Sequence, residues 1–207
     1  MNAVTKSTGI GHISKTADDS VGRAIFVVGA SSVGKTTLCR ALAINLAVEP
    51  RRYIQETARH VMKACGFTRD HVHLYEMQHA IMTAQIEAEQ AILLYDQGSH
   101  DNVLLLSDRS AVDPIVYAKT AAVQDSAGNA SRLRCDASFQ SILPFYRGAL
   151  FVTEWLEDDG VRSLEDPWKY NSHLCSTLTE LDIPFIEISA DMRNLKDRVE
   201  YVRGHLL

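Results

Sequence analysis

The sequence is sparing in several features that mark whole classes of protein. Only four cysteines occur in 207 residues, and Cys39, Cys65, Cys135 and Cys175 stand far apart. No pair has the C-x-x-C spacing of a zinc site or a redox couple, and the framework of a small secreted domain needs them denser. Reduced, mostly buried thiols in a reducing compartment are the expectation. No apolar run approaches the roughly 20 residues of a membrane helix, and the opening MNAVTKSTGIGHISKTADDSVGR lacks the apolar stretch of a signal peptide. Positive charge is not in excess either: 21 Lys+Arg against 26 Asp+Glu leave a net charge of −5 and a pI near 5.9. Such a chain has no global field drawing it to a polyanion, so nucleic acid is not an expected partner. The hydrophobic share of 46% and the charged share of 23% are ordinary for a folded domain, which excludes wholesale disorder, collagen and a coiled-coil rod.

Short aliphatic runs alternate with longer helical ones. Ala24–Val28, Val103–Leu106, Leu150–Val152 and Phe185–Ile188 are apolar without polar alternation, and Arg52–Ile54 is a shorter candidate. Runs of this kind suit strands of a parallel sheet covered on both faces. Helical patterns occupy Thr36–Val48, His71–Gln97, Val112–Ala122, Ser138–Tyr146, Pro167–Leu181 and Met192–Val202. In the longest of them Leu74, Met77, Ile81, Ala84, Ala88, Ala91 and Tyr95 step by three and four, tracing one expected core face, with Gly98 as a stop. There is no internal repeat and no convincing linker. The alternation predicts one three-layer α/β unit.

The sharpest signal is Gly29-Ala30-Ser31-Ser32-Val33-Gly34-Lys35-Thr36, which fits G-x-x-x-x-G-K-[ST] after an apolar strand and before a helix. Chance would place this pattern in such a chain on the order of 0.01 times. Gly29 and Gly34 allow turns a side chain would block and bring backbone N–H groups close to an anion. The helix that follows aims its free N–H groups and positive dipole end at the same point. A nucleoside triphosphate would therefore lie against Gly29, Ser31, Ser32, Val33, Gly34, Lys35, Thr36 and Thr37. Lys35 would reach the β and γ phosphates and Thr36 would offer its hydroxyl to Mg²⁺.

Metal binding beside a P-loop calls for a carboxylate at a neighbouring strand end, and Asp108 directly follows VLLLS. Capping of the next helix is the plainer role for that residue. Arg109 would point into the same crevice, where its guanidinium can brace a phosphoryl group or an acceptor oxygen. After the short second strand come Glu56 and Arg59, either a surface pair at helical spacing or, in the sharper reading, a crevice base with its neighbour. The later Glu157-Asp158-Asp159-Gly160-Val161-Arg162-Ser163 is either an exposed turn or a lid that swings Arg162 over the triphosphate, with Arg132 and Arg134 competing for that part. His71, His73 and His79 lack a matching carboxylate and are not read as a metal site.

In order and spacing, GASSVGKTT, YIQETAR, LLLSDRSAVDPIVYA and EDDGVRS resemble the P-loop, AAA-like ATPase-domain group that includes the bacterial ribosylnicotinamide kinase domain and eukaryotic GTP-binding relatives. The Asp-Arg-Ser element also looks like that of deoxynucleoside and thymidylate kinases. The resemblance runs from about Arg23 to Val202 and implies a five-stranded parallel sheet in the order 2-3-1-4-5, as in nucleotide kinases. It implies that Lys35, Glu56, Asp108, Arg109 and Arg162 carry the chemistry, and that Thr36 and Asp108 hold Mg²⁺. Tyr53, Glu56, Arg59, Arg109, Asp113 and Tyr117 would form the acceptor side. No fused adenylyltransferase and no Asn-Lys-x-Asp base-reading motif accompany these elements.

The expectation is thus a flexible segment over 1–22 followed by one kinase-like domain over 23–207. It would be cytoplasmic, without a membrane span, and able to pair as a homodimer. It would use ATP or GTP with Mg²⁺ to phosphorylate a hydroxyl of a nucleoside or riboside-like acceptor. The competing expectation is a regulatory module that binds and slowly hydrolyses ATP or GTP and signals to a partner, with the lid and residues 119–137 as its switch.

Overall fold

The computed structural model describes residues 23–95, 103–121, 126–154 and 166–206. At its centre is β1 (Arg23–Val28), whose side chains are apolar in both directions. Ala24, Phe26 and Val28 enter one core, while Ile25 and Val27 enter the other. A strand buried on both faces must have neighbours on both edges. β3 (Val103–Asp108) and β4 (Leu150–Glu154) flank it in parallel, β2 (Tyr53–Ile54) lies beyond β3, and β5 (Phe185–Ile188) lies beyond β4. The order is β2-β3-β1-β4-β5, as the resemblance implies.

Helices cover the two faces unequally. α1 (Lys35–Asn45) and α8 (Leu195–Gly204) close one side through Leu38, Leu42, Val199 and Val202. On the other lie α3 (Tyr75–Tyr95), α4 (Val112–Thr120), α5 (Ser126–Arg134), α6 (Ala137–Arg147) and α7 (Pro167–Glu180). There Phe26 stacks on Phe151 at 4.8 Å and meets the edge of Tyr146 at 5.0 Å, filling the core beneath the end of β1.

Two helices lie outside the expected set. α2 (Thr57–Cys65) carries a short apolar stripe of Ala58, Val61, Met62 and Cys65, but it spans only nine residues and none of them is buried. α5 buries only Ala130 and Leu133 and packs on α4, so residues 126–134 of the suggested switch segment are a docked helix. The long helix also differs from its apolar periodicity. It starts after a 3₁₀ turn at Arg69–His71, and its buried face runs through Met77, Gln78, Ile81, Met82, Gln85, Ile86 and Glu89. Ala91 and Tyr95, expected inside, are exposed.

The reason for this rotation is a set of polar side chains satisfied inside the protein. The Gln85 amide donates to Ser107 Oγ at 2.9 Å and to Glu89 Oε1 at 2.8 Å, and the Tyr146 hydroxyl donates to Glu89 Oε2 at 2.7 Å. With its hydrogen bonds made, a buried polar group no longer carries the full desolvation cost. Burial pushes the Glu89 carboxyl up to about 8; the hydrogen bonds from Tyr146 and Gln85 oppose this and the charge of Asp113 adds to it.

A raised carboxyl pKa means the folded protein keeps a proton that the unfolded chain gives up. Stability contributed by the neutral carboxyl is complete below about 4.5, falls as pH climbs towards about 8 and is gone above it. Urea unfolding of wild type and Glu89→Gln across this window is therefore expected to show the variant gaining on wild type, by on the order of a few kcal/mol between the two ends. A difference that stays constant with pH contradicts a raised Glu89.

Candidate active site

The turn between β1 and α1 requires backbone that L side chains rarely adopt. Gly29 has φ 149°, Gly34 has φ 106°, and Ser32 between them takes the left-handed φ of 66°. Gly34 is the N-cap of α1, and its carbonyl accepts from Thr37 N at 2.9 Å and Leu38 N at 3.0 Å. The earlier amides of this helix have no intrahelical partner and form the anion-facing end. Lys35 is buried within the loop and its ammonium donates to the Ala30 carbonyl. Burial, with Arg109 repelling, lowers its pKa to about 8, while Asp113, Asp108 and Glu56 pull it back up. These charges therefore act on one another across a single crevice.

Asp108 ends β3 beside the loop, at 1% exposure. Its Oδ2 accepts from Thr36 Oγ1 at 2.6 Å. Burial holds this carboxyl above the ordinary range, against the Thr36 hydrogen bond and the charges of Lys35 and Arg109. A hydroxyl and a carboxylate oxygen in contact are hard donors of the kind Mg²⁺ takes, so these two residues fit the ion the P-loop implies. Among the described residues no three His, Cys, Asp or Glu side chains gather into a metal site. His71 Nδ1 instead accepts from Thr68 N at 3.0 Å, and His79 lies 3.2 Å from Asp136 and stacks on Tyr75.

The next residue is held in strain. Arg109 has φ 94°, a conformation costing about 1–3 kcal/mol for a non-glycine residue. Its N–H donates to the Val27 carbonyl at 3.0 Å, and its guanidinium donates to Gly29 O at 3.2 Å and Asp113 Oδ1 at 2.9 Å. Arg109 Nε also lies 3.4 Å from Glu56 Oε1, and the cation sits 5.6 Å from the centre of the Tyr117 ring. Tyr117 in turn shares a 3.1 Å hydrogen bond with Ser31 of the loop. Glu56, the N-cap of α2, remains partly exposed, and its other oxygen meets Arg59 at 2.8 Å.

Lys35, Thr36, Glu56, Asp108, Arg109 and Tyr117 are thus brought to one edge of the sheet. Asp113 differs in kind: at 1% exposure it accepts from Ser110 N, Ser110 Oγ, Arg109 and the Tyr170 hydroxyl, so it braces the crevice from beneath. Tyr53 packs into the opposite core, on the α1 face of the sheet, because strand alternation sends Ile54 and not Tyr53 towards α3. Its buried hydroxyl has no hydrogen-bond partner among the described residues. Arg59 is exposed at the rim. Arg162 and the rest of the suggested lid lie outside the described residues, as does the segment 1–22. Arg132 stacks on Tyr75 at 3.6 Å and Arg134 pairs with Glu180 at 3.1 Å, so both serve the packing of α5.

Sequence reading missed Thr57, Ser107 and Tyr170, which back these residues; each is an ordinary polar side chain with no spacing signal. It also missed a hollow of about 400 Å³ at the C-terminal end of β5, lined by Trp168, Asn171, Glu187, Ile188, Ser189 and Ala190. The hollow opens on the same edge of the parallel sheet as the P-loop. No described helix is long and apolar enough to cross a membrane.

Comparisons with known proteins agree with this fold. A search of curated protein sequences gives no match. Among solved structures, the NadR protein in complex with NR superposes with a TM-score of 0.67 at 19% identity, over 89% of this chain and 51% of NadR. NadR with NAD and AMP-PNP gives 0.66 at 18% identity, over 89% of this chain and 49% of that one. The deoxyadenosine kinase of M. mycoides with bound dCTP gives 0.54 at 15% identity, over 88% and 97%. At these identities the likeness is one of fold, and this chain spans about half the length of NadR. The architecture is the three-layer P-loop fold of the nucleotide kinases, with its five parallel strands in the order 2-3-1-4-5. A family model described as AAA domain matches residues 24–195, most of the sequence, and the chain belongs to that family.

Proposed function

We propose that the protein is a kinase that transfers the γ-phosphoryl group of ATP to a hydroxyl of a nucleoside or similar riboside. The observation that carries this reading is the 3.4 Å pairing of Glu56 with Arg109, beside Lys35 and the Thr36–Asp108 pair. A module that only binds and hydrolyses a nucleotide needs the loop and the metal residues. A partly exposed carboxylate facing an arginine at the mouth of the loop can take the proton of an attacking hydroxyl, of water or of an acceptor, and the fold shared with small-molecule kinases favours the acceptor. The riboside class is supported by the Asp-Arg-Ser element and by the fold shared with NadR, solved with NR, and with a deoxyadenosine kinase.

In this reading the loop amides and Lys35 hold the β and γ phosphates, with Ser31, Ser32, Val33 and Thr37 completing the wall. Thr36 and Asp108 would hold Mg²⁺, which when bound offsets charge on the transferring phosphoryl group. Glu56 accepts the proton of the acceptor hydroxyl as its oxygen bonds to the γ-phosphorus, and the bond to the leaving ADP oxygen breaks. Arg109 meets the negative charge of the phosphoryl oxygens from its fixed position on Asp113. Arg59 and Tyr117 line the acceptor side. The hollow beside Trp168 and Asn171 suits the base of the donor. Rate enhancement comes mainly from positioning and charge compensation.

Incubation with radiolabelled ATP, Mg²⁺ and a panel of ribonucleosides, deoxynucleosides and nicotinamide riboside is expected to give an acceptor-dependent labelled product. Slow phosphate release that no acceptor changes would instead support the regulatory module. With an active acceptor in hand, Lys35→Ala is expected to lose turnover by about 10²–10³-fold while keeping the circular-dichroism spectrum of the wild type. For Glu56→Gln a loss of about 10²–10⁴-fold in transfer with unchanged ATP affinity is expected. Full activity in Glu56→Gln would remove it as the base. Asp108→Asn should need a much higher Mg²⁺ concentration for half-maximal activity, read by metal titration at fixed ATP.

A further inference from the structure

Beneath the crevice, five side chains of the described interior form one continuous hydrogen-bonded chain. Gln85 and Glu89 lie one turn apart on α3 and are 2% and 0% exposed. At one end, the Thr57 hydroxyl hydrogen-bonds the Gln85 side-chain oxygen, and the Gln85 amide donates to Glu89 Oε1 at 2.8 Å. At the other, Glu89 Oε2 accepts from the Tyr146 hydroxyl at 2.7 Å, whose oxygen accepts from the Ala111 N–H at 3.1 Å. A side branch joins Gln85 to Ser107 Oγ at 2.9 Å, next to Asp108.

The two ends of the chain are what give it meaning. Thr57 directly follows Glu56, and Ala111 lies two residues after Arg109. Glu56 and Arg109 are the pair that meets at 3.4 Å across the acceptor side of the crevice. Their segments belong to different elements, the start of α2 and the loop after β3, and that loop carries the strained φ at Arg109. In a low-dielectric interior each link of such a chain is costly to break, so its ends are held at a fixed separation.

We propose that Glu89 is a positioning residue for the proposed transfer: through Gln85 it fixes the Glu56–Thr57 corner, and through Tyr146 the Arg109–Ala111 corner, of the acceptor crevice. The kinase reading supplies the purpose of this coupling, whereas the mechanical link between the corners stands apart from it. The groups facing Glu89 are Gln85 on its own helix and Tyr146 from α6, with the charge of Asp113 on α4 acting on it from the β3–α4 side. A neutral amide at position 89 keeps an oxygen for Tyr146, and its NH2 donates to Gln85 once the Gln85 amide turns over, with Ser107 then donating to the Gln85 oxygen.

Hydrogen–deuterium exchange on the full chain separates the two arms. Tyr146→Phe removes only one hydroxyl and is expected to speed exchange at 109–113 by about tenfold while leaving 55–60 as in wild type. Gln85→Met is expected to do the reverse, and Glu89→Gln to keep both corners protected. In all three, α8 on the far face of the sheet should exchange at the wild-type rate. Equal acceleration everywhere, or corners left unchanged by Tyr146→Phe and Gln85→Met, overturns the proposal. Should Gln85→Met not fold, Tyr146→Phe with Glu89→Gln still decides it by the same criteria.

A kinetic arm uses whichever nucleoside of the panel is phosphorylated. Tyr146→Phe is expected to raise the acceptor KM and lower kcat with unchanged affinity for ATP, and Glu89→Gln to remain close to wild type; matched losses in ATP and acceptor binding count against the proposal. If wild type phosphorylates nothing in the panel, the kinase reading fails, and the exchange results still decide the coupling.

Discussion

Beyond β3 the chain turns so sharply that Arg109 must adopt φ 94°, and Asp113 is the group that holds it there. One carboxyl oxygen takes the guanidinium at 2.9 Å and the Tyr170 hydroxyl at 3.0 Å; the other takes Ser110 N at 2.9 Å and Ser110 Oγ at 3.1 Å. These bonds tie the strand end to the first turn of α4 and to α7. Without them the strain at Arg109 is opposed only by its hydrogen bonds to the Val27 and Gly29 carbonyls and its pairing with Glu56. Local conformational cost is here offset by buried, charge-assisted hydrogen bonds, which are stronger than neutral ones.

Sheet order then decides what shares the crevice. β2, β3 and β1 are adjacent, and because they are parallel their C-terminal ends deliver Glu56, Asp108 and the P-loop to the same edge. The loop supplies Lys35 and Thr36, the middle strand Asp108 and Arg109, and the outer strand Glu56. None of these side chains has to reach far. Arrangement by strand ends is the general reason that open α/β sheets bind their ligands at this edge.

How much of this was legible in the sequence depends on what kind of constraint each residue answers. Gly29, Gly34 and Lys35 answer a backbone requirement that few other residues meet, so their spacing can be read directly. Asp108 is legible because an apolar run ends on it, and strand order because the resemblance covers nearly the whole chain. Tyr53 was misplaced because a two-residue strand shows no alternation from which to read its face. The α3 face was misread because periodicity counts apolar residues, and Gln85 and Glu89 are inside only by virtue of Ser107 and Tyr146, distant in sequence. The stripe of α2 spans barely two turns and is too short to stand out, and α5 buries too little to leave one.

The charges gathered in the crevice balance one another. Lys35, Arg109 and Arg59 contribute three positive charges, and Asp108, Asp113 and Glu56 three negative ones, so the arithmetic 3 − 3 leaves the cleft neutral with all six ionised. An anion approaching that cleft gains little from net charge, and the free amides at the start of α1 are the groups left to attract it. In the proposed reading, three carboxylates so close to the loop would favour a triphosphate that arrives with part of its charge already masked by a cation.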